Sequence, residues 1–384
     1  MRIYLIAGEP SGDLLGSRLM RAMIAKDPQT EFFGVGGETM QREGLESLFD
    51  ISELAVMGIV EVIPSIPRIL KRIRQVVEDI ERVKPDVVVT VDSWSFSARI
   101  HKLLKKKKLS IPQVHYVAPQ VWAWKKKRAR TMHKYIDRLL TLFPYEPKYF
   151  TPYGLKTDFV GHPVIESLVI YGSKTDFRER FNVPPASEIM VVLPGSRKNE
   201  VARLLPIFLS VAQQFYEKHP EYVFVIPTVK TVEDKVQAMV KETNLPVIVV
   251  NTESDRYDAF HAANVAVAAS GTVALELAMV DVPHIIAYRV SPLTAFLARH
   301  FLKIEFVNLT NILIGREIVP ELLQENCAED KILYYVNELI KQKDLYQRQM
   351  DGFEKVRKIL GLGEQTPSDN AADIIFKMAH KKKK

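Results

Sequence analysis

Two doubly wound α/β halves, each built on a mainly parallel sheet, are the fold that this 384-residue chain predicts. Three observations point there. Short Val/Ile/Leu-rich runs alternate with amphipathic helical stretches, first in one half and again in the other. The runs are apolar almost throughout, as strands covered on both faces are. The rhythm pauses across 160–188, where Pro163, Pro184 and Pro185 fall, and then restarts. The length suits two domains.

The elements follow in order. Ile3–Ala7 reads as a strand, Gly8–Asp13 as a tight loop, and Leu14–Met23 as a helical pattern. Further strands are expected at 31–35, 86–91, 112–116 and 138–142, with helices over 67–83 and 96–107. The second half opens with a strand at Ile189–Leu193 and a helix over about 200–217. Strands then follow at 222–226, 246–250, 265–268 and 283–288, with a helix entered at Ser270-Gly271-Thr272. From about Asp330 the pattern is helical. The expected organisation is a first domain over 1–160, a linker over 161–188, a second domain over 189–330, and helices with a basic tail over 331–384. Such halves place a cleft between them, and their ligands bind beyond the carboxyl ends of the strands.

Composition excludes several classes. Hydrophobic residues make up 47% and charged residues 26%, ordinary for a globular protein. Cys327 is the one cysteine, so no intramolecular disulfide or cysteine-rich zinc site can form. No apolar run reaches the ~18 residues of a membrane span. No leader pattern precedes Ile3, so a cytoplasmic protein is expected. The net charge is +7, yet twelve Lys and Arg and no acid lie between Ser93 and Ile136, and four lysines end the chain. The remainder is net acidic. Local basicity of this kind implies a polyanionic partner: nucleic acid, an anionic membrane or a phosphorylated substrate.

Two loops carry phosphate chemistry. Leu193-Pro194-Gly195-Ser196-Arg197 joins a strand to a helix. Gly195 lets backbone approach a ligand, the helix N-terminus offers free amides, and Arg197 adds a guanidinium fork. Ser270-Gly271-Thr272 repeats the logic, with Glu276 one turn on as an acceptor for ribose hydroxyls. An ordinary turn at the first loop, and Ser270 or Thr272 as a simple helix cap at the second, are the plain alternatives. Two such loops in one half suit a nucleotide diphosphate. There is no Walker A motif and no Asp-x-Asp pair, so the residues predict neither a P-loop ATPase nor a metal-held diphosphate. Arginine and helix amides are the alternative to a metal.

In the first half, Asp92 ends the run Val87–Val91, where a carboxylate is a candidate general base, or else a helix cap. Glu9 and Asp13 flank Ser11-Gly12 in the first loop and can share that cleft; Ser11 reads equally as an N-cap. Trp122 and Trp124 run into Lys125, Lys126, Lys127 and Arg128. Aromatic and basic together suit nucleic-acid stacking, a membrane-surface anchor, or merely a solvated face. The segment Leu54–Pro67, with Val56, Met57, Ile59, Val60, Val62 and Ile63, is unusually apolar for a connection; it is either core or a patch that receives a lipid chain.

AGEPSGD (7–13), AVMG (55–58) with Glu61-Val62, YVAPQVWAW (116–124), VGHP (160–163), LPGSR (193–197), ASGTVALE (269–276) and VNLTNILIGREIVPELLQ (307–324) stand in the order and spacing of one family. From about residue 2 to 375 the chain resembles the lipid-A-disaccharide synthases. It departs from them in Ser93-Trp94-Ser95, where Pro-Asp-Phe or Pro-Gly-Phe often follows the aspartate. The resemblance implies a GT-B glycosyltransferase that transfers from UDP-2,3-diacylglucosamine to 2,3-diacylglucosamine 1-phosphate, with inversion; with no Asp-x-Asp pair in the chain, the transfer is expected to need no metal, and no cofactor is expected. It implies roles for Asn308, Asn311, Arg316 and Glu317 near the diphosphate or donor sugar. Glu9 and Asp13, with Ser11 and Gly12, are expected near the acceptor, Glu9 being the reserve base. It also implies work at the cytoplasmic face of the inner membrane, and a homodimer. A UDP-sugar epimerase has no use for the Leu54–Pro67 stretch. A nucleic-acid-binding protein leaves both phosphate loops unexplained, so no nucleic-acid partner is expected.

Overall fold

The computed structural model describes residues 1–54, 59–121, 126–292, 294–295 and 305–381; within these, the side chains of 59–65, 126, 168–169 and 381 are not described. The chain forms two compact units, Met1–Pro163 with Gly363–Lys384, and Val164–Leu362.

In the first unit the strands are β1 (Arg2–Ala7), β2 (Glu31–Val35), β3 (Val87–Val91), β4 (Gln113–Tyr116), β5 (Arg138–Thr141) and β6 (Lys156–Phe159). They pair in parallel in the order β2-β1-β3-β4-β5-β6. Helices α1 (Pro10–Lys26), α2 (Glu38–Arg42), α3 (Ile59–Val83), α4 (Trp94–Lys106) and α5 (Ala129–Met132) complete the windings. The chain leaves β1 toward β2 on one side, and β3 lies on the other. The switch point therefore falls between the ends of β1 and β3, where Ala7 pairs with Val91. All five residues of β3 are buried, as its unbroken Val/Thr run requires.

The second unit holds β7 (Glu188–Leu193), β8 (Tyr222–Pro227), β9 (Val247–Val250), β10 (Val265–Ala268), β11 (His284–Tyr288) and β12 (Glu321–Leu323), in the order β12-β11-β10-β7-β8-β9. Among the described residues its helices are α6 (Lys174–Arg180), α7 (Lys198–Tyr216), α8 (Glu233–Lys241), α9 (Glu253–Ala262), α10 (Val273–Met279), α11 (Leu309–Ile314), α12 (Glu329–Lys341) and α13 (Lys343–Leu360). The switch point lies between β7 and β10, where Leu193 pairs with Ala268. That register sets the two glycine loops side by side.

Three elements depart from expectation. β6 is a polar edge strand, Lys-Thr-Asp-Phe, and β12, Glu-Leu-Leu, is only three residues long. Both escape a search for apolar runs. α3 begins at Ile59 instead of Pro67, and carries Pro64 and Pro67 within it despite their missing backbone donors. The stretch read as an apolar connection is thus helical from 59.

The last helix, α14 (Pro367–Lys381), belongs to the first unit. Ala371, Ala372, Ile375 and Ala379 are buried against a core that includes Leu15, Leu19, Met20 and Met23. The small alanines let α14 lie close to α1. Lys26 ties the pair from α1 by ion pairs to Asp373 (3.0 Å) and Asp369 (3.6 Å). Asn370 Nδ2 donates to the Val160 carbonyl (3.1 Å). Ile375→Ala is expected to lower stability by about 2–5 kcal/mol, since it opens a cavity in this core. Denaturant unfolding followed on the first unit checks it; a loss below about 1 kcal/mol would show that the helix is not part of that core.

Candidate functional site

One pocket of the second unit sits at its switch point. It is a hollow of about 400 Å³ lined by Leu193, Gly195, Ser196, Arg197 and Glu200 from the β7–α7 loop, and by Ala269, Ser270, Gly271, Thr272, Val273 and Glu276 around the start of α10. Thr228, at the end of β8, and Arg256, on α9, close its wall. The residues read as a diphosphate and ribose site are thus brought together, apart from the late group Asn308, Asn311, Arg316 and Glu317.

The two loops are not equivalent. Gly195 has φ +100°, and a Cβ there would lie 2.5 Å from Glu200 Oε2. The group that approaches this glycine is thus a carboxylate of the chain itself. Glu200 accepts from the amides of Ser196 (3.2 Å) and Arg197 (3.3 Å), from Arg197 Nη1 (2.9 Å), and from the Tyr288 hydroxyl (3.0 Å). The α7 N-terminus therefore already carries an internal anion where a phosphate is expected. Burial, then the Glu200 charge, pushes the Tyr288 hydroxyl up, so it remains a donor. At α10 the arrangement is open. Thr272 occupies the N-cap position without a side-chain cap bond, and the space over Gly271 is empty to 4 Å. The plain capping reading of Ser270 or Thr272 is not what the loop does.

Glu200→Gln should then tighten UDP binding severalfold by removing the competing charge. It should also destabilise the protein slightly, by about 0.3–1 kcal/mol, because the amide oxygen still accepts at the helix start but the charge favourable to that terminus is gone. Titration calorimetry and thermal unfolding measure the two; weaker UDP binding would mean that the carboxylate helps the ligand instead of competing with it.

Arg256 escaped the sequence reading, since a single arginine inside Glu253–Ala262 has no motif to mark it. Its guanidinium pairs with Glu276 (3.5 Å) and Glu253 (3.8 Å) and donates to the Tyr257 hydroxyl (2.8 Å). Its Nε is buried without a partner, as is Thr228 Oγ1. A wall with two unsatisfied polar atoms suits a polar ligand. Glu276 is held in place by Arg256.

In the first unit the switch point gathers the other expected group. Asp92 and Ser93 both adopt left-handed backbone, φ 55° and 43°. Such strain in residues other than glycine concentrates at functional sites. Asp92 Oδ2 accepts from Ser11 Oγ (3.0 Å), and Oδ1 accepts from the Ser93 amide (2.7 Å). Ser11 lies inside α1, whose N-cap is Glu9, so it orients Asp92 instead of capping. Gly12 lets α1 come this near: a Cβ there would meet the Val91 carbonyl at 3.0 Å. Glu9 is exposed at the mouth of the loop. Behind Asp92, Thr90 Oγ1 bonds His101 Nε2 (2.8 Å) and His115 Nδ1 (2.7 Å), while His101 Nδ1 bonds Gln113 Oε1 (2.7 Å). Burial pulls His101 down to about 4 and His115 well below the usual range. These imidazoles are neutral props of the strand ends.

Several expected residues stand elsewhere. Asp13 is buried, and its carboxylate accepts from the amides of Gly37 (2.7 Å), Thr39 (2.9 Å) and Met40 (3.1 Å) and from the Thr39 hydroxyl (2.7 Å). It anchors the start of α2, with no acceptor capacity turned outward. Asn308 caps α11 by accepting from the Thr310 amide (2.9 Å). Asn311 is fully buried; it accepts from Ile318 and Val319 amides and donates to the Val319 carbonyl and to Glu321. These asparagines shape the loop that leads into β12, and neither lines the pocket. Arg316 and Glu317 are exposed in that loop and do not line it either. Val56, Met57, Trp122, Trp124 and Lys125 lie outside the described residues, as do the side chains of Ile59, Val60, Val62, Ile63 and Lys126; Lys127 is exposed and Arg128 half-buried. Among the described residues no group of three or more His, Cys, Asp or Glu is placed to hold a metal ion, and no helix is long and apolar enough to cross a membrane.

Residues 3–375 match the model of the lipid-A-disaccharide synthetase family. The lipid-A-disaccharide synthase of Paramagnetospirillum magneticum is 47% identical over 98% of this chain and 97% of its own length.

The chain belongs to the lipid-A-disaccharide synthase family.

That of Rhodospirillum centenum is 43% identical over 99% and 95%. Membership makes the chain a glycosyltransferase of lipid A biosynthesis. Among solved structures it is similar to the UDP-GlcNAc 2-epimerase from Neisseria meningitidis bound to UDP-GlcNAc (TM-score 0.67, 14% identical, 99% of this chain and 100% of that one). It is similar also to MurG of Acinetobacter baumannii (TM-score 0.59, 14% identical, 98% and 99%). These likenesses show the GT-B fold. The epimerase alternative shares only that fold, whereas the family match spans the length of the chain.

Proposed function

We propose that the chain transfers 2,3-diacylglucosamine from its UDP conjugate to the 6-hydroxyl of 2,3-diacylglucosamine 1-phosphate, giving the tetraacyl β-1′,6-linked disaccharide 1-phosphate and UDP. The observation that carries the reading is the pocket at the second unit's switch point, within a chain that matches this family over residues 3–375. UDP lies in that pocket. The open amides after Gly271 meet one phosphate, Arg197 and Arg256 offer guanidinium donors, and Glu276 takes the ribose hydroxyls. The N-H groups after Gly195 become available once Glu200 yields. Asp92, held by Ser11, removes the proton of the acceptor 6-hydroxyl as its oxygen attacks the anomeric carbon, and the pair of electrons in the breaking C–O bond leaves with UDP. An α-linked donor and a β-linked product make the transfer inverting. Asn308 and Asn311 support the loop that carries Arg316 and Glu317 near the donor. Glu9 stands by as the alternative base.

Both substrates are acylated, so the chain works as a peripheral protein at the cytoplasmic face of the inner membrane. The apolar stretch around 56–63 receives acyl chains, and Trp122, Trp124 and the cations at 125–128 face the lipid. Each such cation contributes about 1 kcal/mol near anionic lipid. The active form is a homodimer, as in the resemblance.

The test is UDP release from UDP-2,3-diacylglucosamine with and without acceptor. Release only with acceptor is expected; release or isomerisation without it would restore the epimerase. Arg197 is mostly exposed, so Arg197→Ala should weaken UDP about three- to tenfold. An unchanged dissociation constant would take Arg197 out of the site.

A further inference from the structure

The first unit holds a charged hollow of about 290 Å³ on one face of α4. Arg99 and Lys102 of α4 and Arg128 supply its charge; Ser95, Thr131 and Tyr135 supply hydroxyls, and no carboxylate lines it. Among the described residues none of the three cations has an ion-pair partner. Neighbouring lysines differ: Lys105 pairs with Asp137 (2.8 Å) and Lys107 with Glu81 (2.9 Å). The three are nonetheless positioned. Arg99 Nη1 donates to the Ser95 carbonyl (2.8 Å), Arg128 Nη2 to Ser95 Oγ (3.4 Å), and Lys102 Nζ lies 4.8 Å over the Tyr135 ring.

Three held cations without a counter-charge repel one another, and a bound anion relieves that. Guanidinium and ammonium groups with hydroxyls beside them suit the oxygens of a phosphate. The hollow has room for a phosphate and part of a sugar, below the usual range of nucleotide-sized pockets. It also begins at Trp94, two residues past Asp92.

We propose that this hollow binds the 1-phosphate of the sugar acceptor and so sets the preference for a phosphorylated acceptor. The identity of that acceptor rests on the proposed function. In a pyranose the 6-hydroxymethyl and the 1-substituent flank the same ring oxygen. A base at Asp92 therefore requires the phosphate site to lie within one sugar of it; Ser95 and Arg99, on the first two turns of α4, are the lining residues nearest Asp92 along the chain after Trp94.

The test uses the full chain in detergent micelles, with Arg99→Gln/Lys102→Gln as the variant and Lys106→Gln as a control of equal chemistry outside the hollow. The double variant should raise KM for the phosphorylated acceptor about tenfold or more, with donor KM and kcat nearly unchanged. The preference of the unaltered protein for this acceptor over its 1-dephospho form should collapse, and Lys106→Gln should change neither. A preserved preference overturns the proposal. Preserved preference together with lost binding to phosphatidylglycerol vesicles assigns the hollow to bilayer headgroups instead. If the unaltered protein shows no acceptor-dependent release of UDP, the proposed function fails on its own. Binding of glucosamine 1-phosphate, measured by NMR titration, then decides the hollow: binding lost in the double variant sustains a phosphate site, and binding absent or unaffected removes it.

Discussion

Asp92→Asn is expected to lower kcat by about 10²–10⁴-fold, the usual worth of a positioned general base, while UDP affinity stays within about twofold. The substitution keeps the shape of the side chain and its oxygen toward Ser11, so the left-handed turn at 92–93 should survive. What it removes is the capacity to take a proton. Ser11→Ala should cost far less, about tenfold at most, because it deletes one neutral hydrogen bond that orients the carboxylate. Steady-state kinetics with saturating donor and acceptor separate these. Near-normal turnover in Asp92→Asn would pass the role to Glu9, and Glu9→Gln would then carry the large loss.

The second large effect is expected at Arg256. Arg256→Met should raise the UDP dissociation constant about 10–100-fold, the loss of one or more charge-assisted hydrogen bonds from a partly enclosed donor. It also leaves Glu276 and Glu253 without their cation, so that their repulsion acts on an incoming phosphate. Stability should also fall, by about 1–3 kcal/mol, since the mostly buried Glu276 loses its counter-charge. Arg256→Lys keeps the charge but not the fork, and should recover part of the affinity. Calorimetric titration with UDP is the measurement; an unaltered constant would leave Arg256 as a strut for Glu276 alone.

The contrast between Arg197 and Arg256 shows what the amino-acid sequence made legible. Arg197 sits in a strand–glycine–helix phrase whose meaning is local, so pattern alone finds it. Arg256 reaches the same pocket from α9, and only the return of β10 beside β7 brings the two together. The buried strands were legible for a related reason: β3, β7 and β10 are apolar on both faces, and their runs admit few other readings. Polar side chains misled more often. Asp13, Asn308 and Asn311 carry the residue types that binding uses, but those types also serve helix starts and loop junctions, and tertiary partners chose the second use here. Glu200 carries no local mark, because a glutamate at a helix start looks like ordinary dipole matching. Its occupation of the Ser196 and Arg197 amides becomes visible only when the loop is closed on it.

The return of α14 to the first unit has a consequence for biosynthesis. Domains usually close in the order in which they leave the ribosome. Here residues 164–362 emerge complete while the preceding unit still lacks its final layer. The part of that core which Ala371, Ala372, Ile375 and Ala379 complete stays uncovered until α14 clears the exit tunnel. The nascent chain thus carries a sticky surface while residues 164–362 are made, and a stop just after residue 362 leaves it as a chaperone client rather than a shortened enzyme.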